Sequence, residues 1–352
     1  MSLRIDISRL AENAEALYKT VGEYFCVVKC DAYGHGAVKC AVALRDAGRS
    51  SFAVFSLSEA IEIKRAVTDA EILILGRTDA KYADLISENG FIQTVFSAEY
   101  ARELSTVARH LRVHIKLYTG MHRSGFTEDP EEIKKAFSGF KGSIEGVYTH
   151  FSSADAPSIS IARTQLDDFT LRANELEALL SKKLVKHSAA SASALRMKSA
   201  RLDISRIGIA LYGYLPDNCE GLCEVRPVMS LCAPIVSLKA VKKGETVGYG
   251  CDRTLIRDTL VATVPVGYGF GIPRCAESLF RPCLEGKRVG FVGRICMDRC
   301  MLDVTEVPSV RVGDTVELIG DTVTAAELAC AEGSIPYETL TRVGRMNKNE
   351  RT

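Results

Sequence analysis

The sequence has no tryptophan, and its 45 Lys and Arg residues are matched by 44 Asp and Glu. A formal net charge of +1, with the basic residues scattered, offers no cationic face for a nucleic acid. No apolar run approaches the ~20 residues needed to span a bilayer, so no membrane contact is expected. The opening Met1-Ser2-Leu3-Arg4-Ile5-Asp6 lacks the apolar core of a signal peptide. The 12 cysteines include no C-x-x-C; the close pairs Cys26/Cys30, Cys219/Cys223 and Cys296/Cys300 each enclose three residues, which argues against zinc. Without dense pairing or a secretory signal they read as reduced thiols of a cytoplasmic protein, with no metal. Low-complexity tracts, heptads and a Gly-rich dinucleotide fingerprint are also missing.

What remains is a 352-residue chain, 47% hydrophobic and 25% charged, enough for a sizeable core in one large or two ordinary domains. Up to about residue 215, strand-like apolar runs alternate with helical patterns. The strands read as Phe25–Lys29, Ser51–Phe55, Glu71–Leu75, Ile92–Val95, Val113–Leu117, Gly142–Tyr148, Leu184–His187 and Leu202–Ile204. Helical spacing fills Ala37–Ala47, Leu57–Val67, Tyr82–Glu88, Ala98–Ala108, Pro130–Ala136 and Ile159–Leu180, with Pro130 suited to a first turn. Eight such units match an α/β fold of the (β/α)8 TIM-like barrel type. An open doubly wound sheet is the alternative, disfavoured by the even spacing and the missing fingerprint. Beyond Pro216 the runs shorten and become β-branched: Val225–Lys239, Thr246–Tyr249, Thr259–Val266, Lys287–Arg294, Met301–Val304 and Thr315–Ile319. Only a short Thr324–Ala331 segment looks helical. A barrel over 1–218 followed by a mostly-β C-terminal domain over 219–352 is expected.

A barrel places its chemistry at the C-terminal ends of its strands. Here those ends carry Lys29-Cys30-Asp31, Ser56, Gly76-Arg77, Tyr118-Thr119-Gly120, His150, His187 and Arg206-Ile207-Gly208. The run Phe25-Cys26-Val27-Val28-Lys29 reads as a strand buried on both faces that delivers a lysine to this rim. A solvated lysine is the ordinary outcome there. A desolvated one has a lowered pKa, and its neutral amine can form a Schiff base with an aldehyde.

The motifs decide between these readings. Val28-Lys29-Cys30-Asp31-Ala32-Tyr33-Gly34-His35-Gly36, Thr119-Gly120-Met121-His122-Arg123-Ser124-Gly125 and Thr149-His150-Phe151 come first. Arg206-Ile207-Gly208-Ile209-Ala210-Leu211-Tyr212-Gly213, Val264-Pro265-Val266-Gly267-Tyr268-Gly269, Gly293-Arg294-Ile295-Cys296-Met297-Asp298 and Pro336-Tyr337-Glu338 follow. In this order, over nearly the whole length, the chain resembles bacterial alanine racemases, fold-type III enzymes that use pyridoxal 5'-phosphate (PLP). The resemblance implies an isomerase that interconverts L- and D-alanine by a two-base mechanism and supplies D-alanine to peptidoglycan.

Residue by residue, the resemblance implies that Lys29 links covalently to the cofactor. Tyr33, Ser191, Tyr337 and the backbone of Gly208 and Ile209 match the groups that hold its phosphate; a plain helix N-cap is the alternative for Ser191. Arg206 matches the residue facing the pyridine nitrogen, with His187 behind it, immediately after the eighth strand. Arginine keeps its proton, so the ring nitrogen stays unprotonated, a weaker electron sink that suppresses transamination. Racemisation needs a proton donor and acceptor on opposite faces of the α-carbon. Lys29 matches one base and Tyr268 the other, and a tyrosine needs help near neutrality, for which His150 is the expected hydrogen-bond partner. Arg123 and the Met297 N–H match the substrate-carboxylate contacts, Lys116 matches a lysine carbamylated in some members, and Asp298 is a further site residue. The family's composite sites imply a homodimer in which Tyr268 and Met297 come from the neighbouring copy.

Three departures stand out: Tyr118 where aspartate is usual, Ser124 where leucine is usual, and a late start that leaves the strand before Ile5-Asp6-Ile7 nearly absent. The late start fits a trimmed chain or the catalytic part of a longer protein, such as a serine/alanine racemase of a resistance operon. Those tend to carry a smaller polar residue before Glu338; Tyr337 favours alanine. A non-catalytic PLP-binding barrel and a barrel kept only for dimerisation are the other classes, and Tyr268 with its motif argues against the carrier.

Overall fold

The computed structural model describes residues 1–107, 110–251 and 253–351. Two compact units make up the chain. One consists of Ser8–Ala32 and Ala37–Arg226, the other of Met1–Ile7, Tyr33–Gly36 and Pro227–Thr352.

The larger unit is built on eight parallel strands: Tyr24–Val27, Ser51–Val54, Glu71–Ile74, Ile92–Val95, Arg112–Lys116, Ser143–Tyr148, Val185–His187 and Ser205–Ile207. Tyr24–Val27 is buried throughout, as a strand covered on both faces must be. Seven of the expected strands lie within two residues of their places. The eighth does not: Leu202–Ile204 is a turn with Leu202 at φ 51°, and the strand begins at Ser205. Asp203 N–H donates to Lys186 O at 3.1 Å and Arg206 N–H to Ala189 O at 2.9 Å, so the last strand meets the seventh across this turn and brings the sheet nearly full circle. Arg206 thus sits inside the eighth strand rather than after it.

Helices cover the barrel for local reasons. Ile7–Val21 buries Leu10, Ala14, Leu17 and Val21 along one stripe. Its buried Asn13 is fully used, donating to Leu211 O and Arg226 O and accepting from Arg226 N–H. Leu57–Ala66 starts on a Ser56/Glu59 capping box, and Pro130–Ala136 on an Asp129 cap with proline in its first turn. Ala98–Val107 ends before Ala108, which lies outside the described residues. No helix among the described residues is long and apolar enough to cross a membrane.

The second unit holds two antiparallel sheets. The first orders Ser2–Ile5, Met229–Pro234, Thr315–Ile319, Cys283–Leu284 and Lys287–Arg288; the second orders Ser237–Val241, Thr259–Val264, Cys300–Asp303 and Gly290–Phe291. Three expectations are corrected. A leading strand is present, because Ser2–Ile5 pairs with Met229–Cys232. Thr246–Tyr249 forms only a bridge from Thr246 to Thr254 and runs into a short 3₁₀ turn. Besides Ala325–Glu332 there is a second helix, Pro336–Met346, which buries Thr339, Leu340, Val343 and Gly344. Its buried residues recur at helical spacing behind a first-turn proline, so the pattern was present and passed over.

That second helix meets the Tyr33–Gly36 segment closely. A Cβ on Gly344 would lie 2.0 Å from Gly34 O. Gly344→Ala is expected to lower stability by ~1–3 kcal/mol through overpacking, read as a fall in Tm; an unchanged Tm would show that the segment yields freely.

Candidate active site

Directly after the first barrel strand the chain does something costly. Cys30, Asp31, Ala32 and Tyr33 all lie in the left-handed region, at φ 55°, 57°, 54° and 52°. For L-residues this costs about 1–2 kcal/mol each. Side chains hold the turn: Glu59 accepts the Cys30 N–H at 2.7 Å, and Asp31 accepts the Ala37 N–H at 2.8 Å. The same Glu59 carboxylate caps its own helix through the N–H groups of Phe55 and Ser56. The strained turn fixes the direction in which Lys29 leaves the strand, and such strain concentrates at functional sites. Burial lowers the Lys29 pKa below that of an ordinary lysine; Arg123 and Arg206 act the same way, while Cys30 and Glu59 oppose them.

Arg206 is the centre of the barrel cluster. It is 4% exposed and has no carboxylate partner among the described residues. Nη1 donates to His187 Nδ1 at 2.7 Å and to His187 O at 3.1 Å. Nη2 donates to Thr149 O at 2.7 Å, Ser188 O at 3.2 Å and His150 Nδ1 at 3.3 Å. The guanidinium also lies over the Tyr148 ring, 4.9 Å from its centroid. Nε–H has no protein acceptor among the described residues, and it is not one of the sealed unpartnered atoms. Burial lowers the Arg206 pKa to about 10, which still leaves it charged at neutral pH. His187 and His150 are both pushed well below the usual histidine range, first by burial and then by Arg206.

Ser191 and Gly208 meet on the same unit. Ser191 Oγ accepts the Gly208 N–H at 3.1 Å. Ser191 does not cap its helix: Ala190 is the N-cap, and its N–H goes to Ser193 Oγ at 2.9 Å. Gly208 in turn opens the short turn Ile209–Tyr212.

Lys116, 8% exposed, ends the fifth barrel strand. Its Nζ donates to Ser124 Oγ at 2.7 Å, so Ser124 anchors the lysine. Arg123 itself is exposed, yet its charge acts on Lys29, Lys116, His150 and Arg206. Tyr118 hydrogen-bonds the His122 ring at 2.9 Å, and Arg172 holds the loop through Tyr118 O, Phe126 O and Glu128 O. Arg77, on the sequence-derived rim, takes no part; it pairs with Glu103 and lies over Tyr100.

The second unit gathers the other residues. Tyr33 and Tyr337 face each other with ring centroids 6.1 Å apart. The Tyr268 N–H donates to Cys296 O at 3.0 Å and the Gly269 N–H to Met297 O at 2.8 Å, so two motifs far apart in sequence share one edge. Tyr268 is 39% exposed and Met297 62%. Asp298 is turned to its neighbour Arg299 instead.

Comparisons with known proteins give the family. Residues 5–216 match the family model for the N-terminal domain of alanine racemase, and residues 228–350 the model for its C-terminal domain. Alanine racemase 1 of Clostridium acetobutylicum is 36% identical over 97% of this chain and 92% of its own length. The chain belongs to the alanine racemase family. The alanine racemase of Desulfovibrio desulfuricans is 37% identical over 97% of this chain and 95% of its own. Solved alanine racemases superpose closely. That of Clostridium difficile gives a TM-score of 0.90 at 31% identity, covering 97% of this chain and 92% of its own. The Streptomyces coelicolor alanine racemase gives 0.90 at 30%, covering 98% and 96%.

Sequence reasoning passed over His114, Tyr148 and Glu59. The alternation of a strand puts His114 on the same face as Lys116, the one signal that could have flagged it. Nothing local marks Glu59 as more than a cap.

Lys116 gives a titration test. Burial, then Arg123, Arg206 and Lys29, lower its pKa to about 8. Below that pH the buried ammonium destabilises the fold in full. Between pH 8 and the unfolded value of ~10.5 the folded chain holds fewer protons, so stability from this group rises with pH. In carbon-dioxide-free buffer, Lys116→Met should gain Tm relative to the parent chain below pH 8, and the gain should shrink toward pH ~10.5; a pH-independent difference would place the amine in ordinary solvent.

Proposed function

We propose that this chain racemises alanine with PLP, using Lys29 on one face of the substrate α-carbon and Tyr268 of a second copy on the other. The observation that carries the reading is Arg206: a buried cation that meets only neutral acceptors among the described residues, with its Nε–H unused, on the strand that pairs with the one leading to Lys29. A guanidinium so placed suits a neutral aromatic nitrogen and offers no carboxylate that would protonate one.

The residues fit PLP on several counts. Lys29 has the depressed pKa that a Schiff-base lysine needs. Ser191 with Gly208, and Tyr33 beside Tyr337, supply hydroxyl and N–H donors suited to a phosphate. When bound, the cofactor withdraws electrons from the α-carbon and acidifies its proton. Lys29 takes or gives that proton on one side. Tyr268, with His150 as its hydrogen-bond partner, does so on the other. Arg206 keeps the ring nitrogen from acquiring a proton. Arg123 and the Met297 N–H hold the substrate carboxylate, and Asp298 borders that edge. Lys116, anchored by Ser124 and with a pKa near 8, has the reactive amine that a carbamate requires and is the position at which we expect one. Tyr337, where serine-accepting relatives tend to carry a smaller polar residue, favours alanine over serine. The product would feed peptidoglycan assembly, and twelve free thiols fit a reducing cytoplasm.

The two-base assignment is read by deuterium wash-in at the α-carbon. For Tyr268→Phe we expect exchange from one enantiomer to fall ~10²–10⁴-fold while exchange from the other persists. Equal loss for both, or none, contradicts it. Composite sites are read by mixing. Lys29→Ala and Tyr268→Phe chains, each inactive alone, should recover about a quarter of wild-type activity when co-expressed, because half the dimers are mixed and each carries one intact site. Failure of mixing to restore activity would place both bases on one chain.

A further inference from the structure

We propose that His114 is a positioning residue: its Nδ1 accepts the His187 Nε2–H and so holds His187 in the tautomer that Arg206 requires, and with it the way Arg206 presents its remaining donor. The inference rests on the reading that Arg206 faces the cofactor ring nitrogen, and deepens it.

The argument is one of proton count. Arg206 has five N–H groups and no acceptor. His187 Nδ1, 2.7 Å from Arg206 Nη1, must therefore accept. A neutral His187 then carries its one proton on Nε2. That atom lies 2.9 Å from His114 Nδ1, which must accept in turn, so the His114 proton sits on Nε2. Each link leaves the next no choice, and the direction originates at the guanidinium. Both rings are kept neutral in the barrel: burial is the main cause, it lowers the His114 pKa to about 3, and the charges of Arg112 and Arg206 add to it.

Packing removes the alternatives. His187 is fully buried and stacked on Tyr148, with ring centroids 4.6 Å apart and planes at 10°. Phe25 covers both imidazoles, at 5.7 Å from His187 and 6.4 Å from His114. The His114 ring lies over Gly146, where a Cβ would come within 2.6 Å of Nε2. Tyr148 is tied by its hydroxyl to Thr94 at 3.1 Å. A His187 that lost its acceptor at position 114 would hold a buried, unpaired N–H. It could escape only by moving the proton to Nδ1, against the guanidinium, and Arg206 would have to turn away.

The test has two parts. The first uses ¹⁵N-histidine-labelled protein before any cofactor is added, with long-range ¹H–¹⁵N spectra at neutral pH. His187 and His114 should each show a protonated Nε2 and an unprotonated Nδ1, and in His114→Phe the His187 pattern should shift. A proton on His187 Nδ1, a cationic ring, or a His187 pattern that ignores His114→Phe overturns the proposal. The second part titrates PLP by its absorbance into the parent chain, His114→Phe and His114→Asn, whose carboxamide oxygen can still accept. Affinity should fall about tenfold or more in His114→Phe, the size of one lost buried hydrogen bond, and recover in His114→Asn. A changed His187 tautomer with unchanged PLP binding would leave the histidine link standing and sink the assignment of Arg206 to the ring. If His114→Phe fails to fold, the parent and His114→Asn spectra decide.

Discussion

A guanidinium buried without a carboxylate partner among the described residues is the constraint on which the site depends. Burying an unpaired charge is expensive unless hydrogen bonds answer it. Around Arg206 the answer consists of backbone oxygens of Thr149, His187 and Ser188, two imidazole nitrogens, and the face of Tyr148. These groups sit at the ends of two adjacent barrel strands, Ser143–Tyr148 and Val185–His187. The closure of the barrel and the seating of Arg206 are therefore one event, since the Arg206 N–H is itself a link that joins the eighth strand to the segment after the seventh. The histidines keep the charge because they stay neutral: a second cation there would break the arrangement.

The lysine is positioned by a different device. Four consecutive residues in the left-handed region would not persist without support, and the support comes from carboxylates that do nothing chemical. Glu59 serves its own helix and the turn after Lys29 together, so the first two strand-to-helix connections are coupled. The strained turn ends at Tyr33, where the chain joins the second unit and brings Tyr33 against Tyr337. The depressed Lys29 pKa is a consequence of burial at this point, reinforced by the two arginines.

Much of this was legible in the sequence, for physical reasons. Strands covered on both faces write themselves as short β-branched runs, so seven barrel strands could be located. The eighth was misplaced because Leu202-Asp203-Ile204 has strand-like composition, while Leu202 adopts a turn conformation that composition does not reveal. By contrast, the helix Pro336–Met346 was legible, with Leu340 and Val343 at helical spacing behind a first-turn proline, and was passed over. Lys29, Arg206, His187 and Tyr268 could be named from motif order. The partnership of Lys116 with Ser124, the dual service of Glu59 and the place of His114 could not, because each depends on which side chains the closed barrel turns toward one another.

On the proposed reading, the site's central feature is a cation that would hold an aromatic nitrogen in its unprotonated form. The most direct test is the ¹⁵N chemical shift of pyridoxal phosphate labelled at the ring nitrogen and bound to the protein at neutral pH. A shift characteristic of an unprotonated pyridine is expected, moving toward pyridinium in Arg206→Glu. A pyridinium shift in the parent protein would contradict the account.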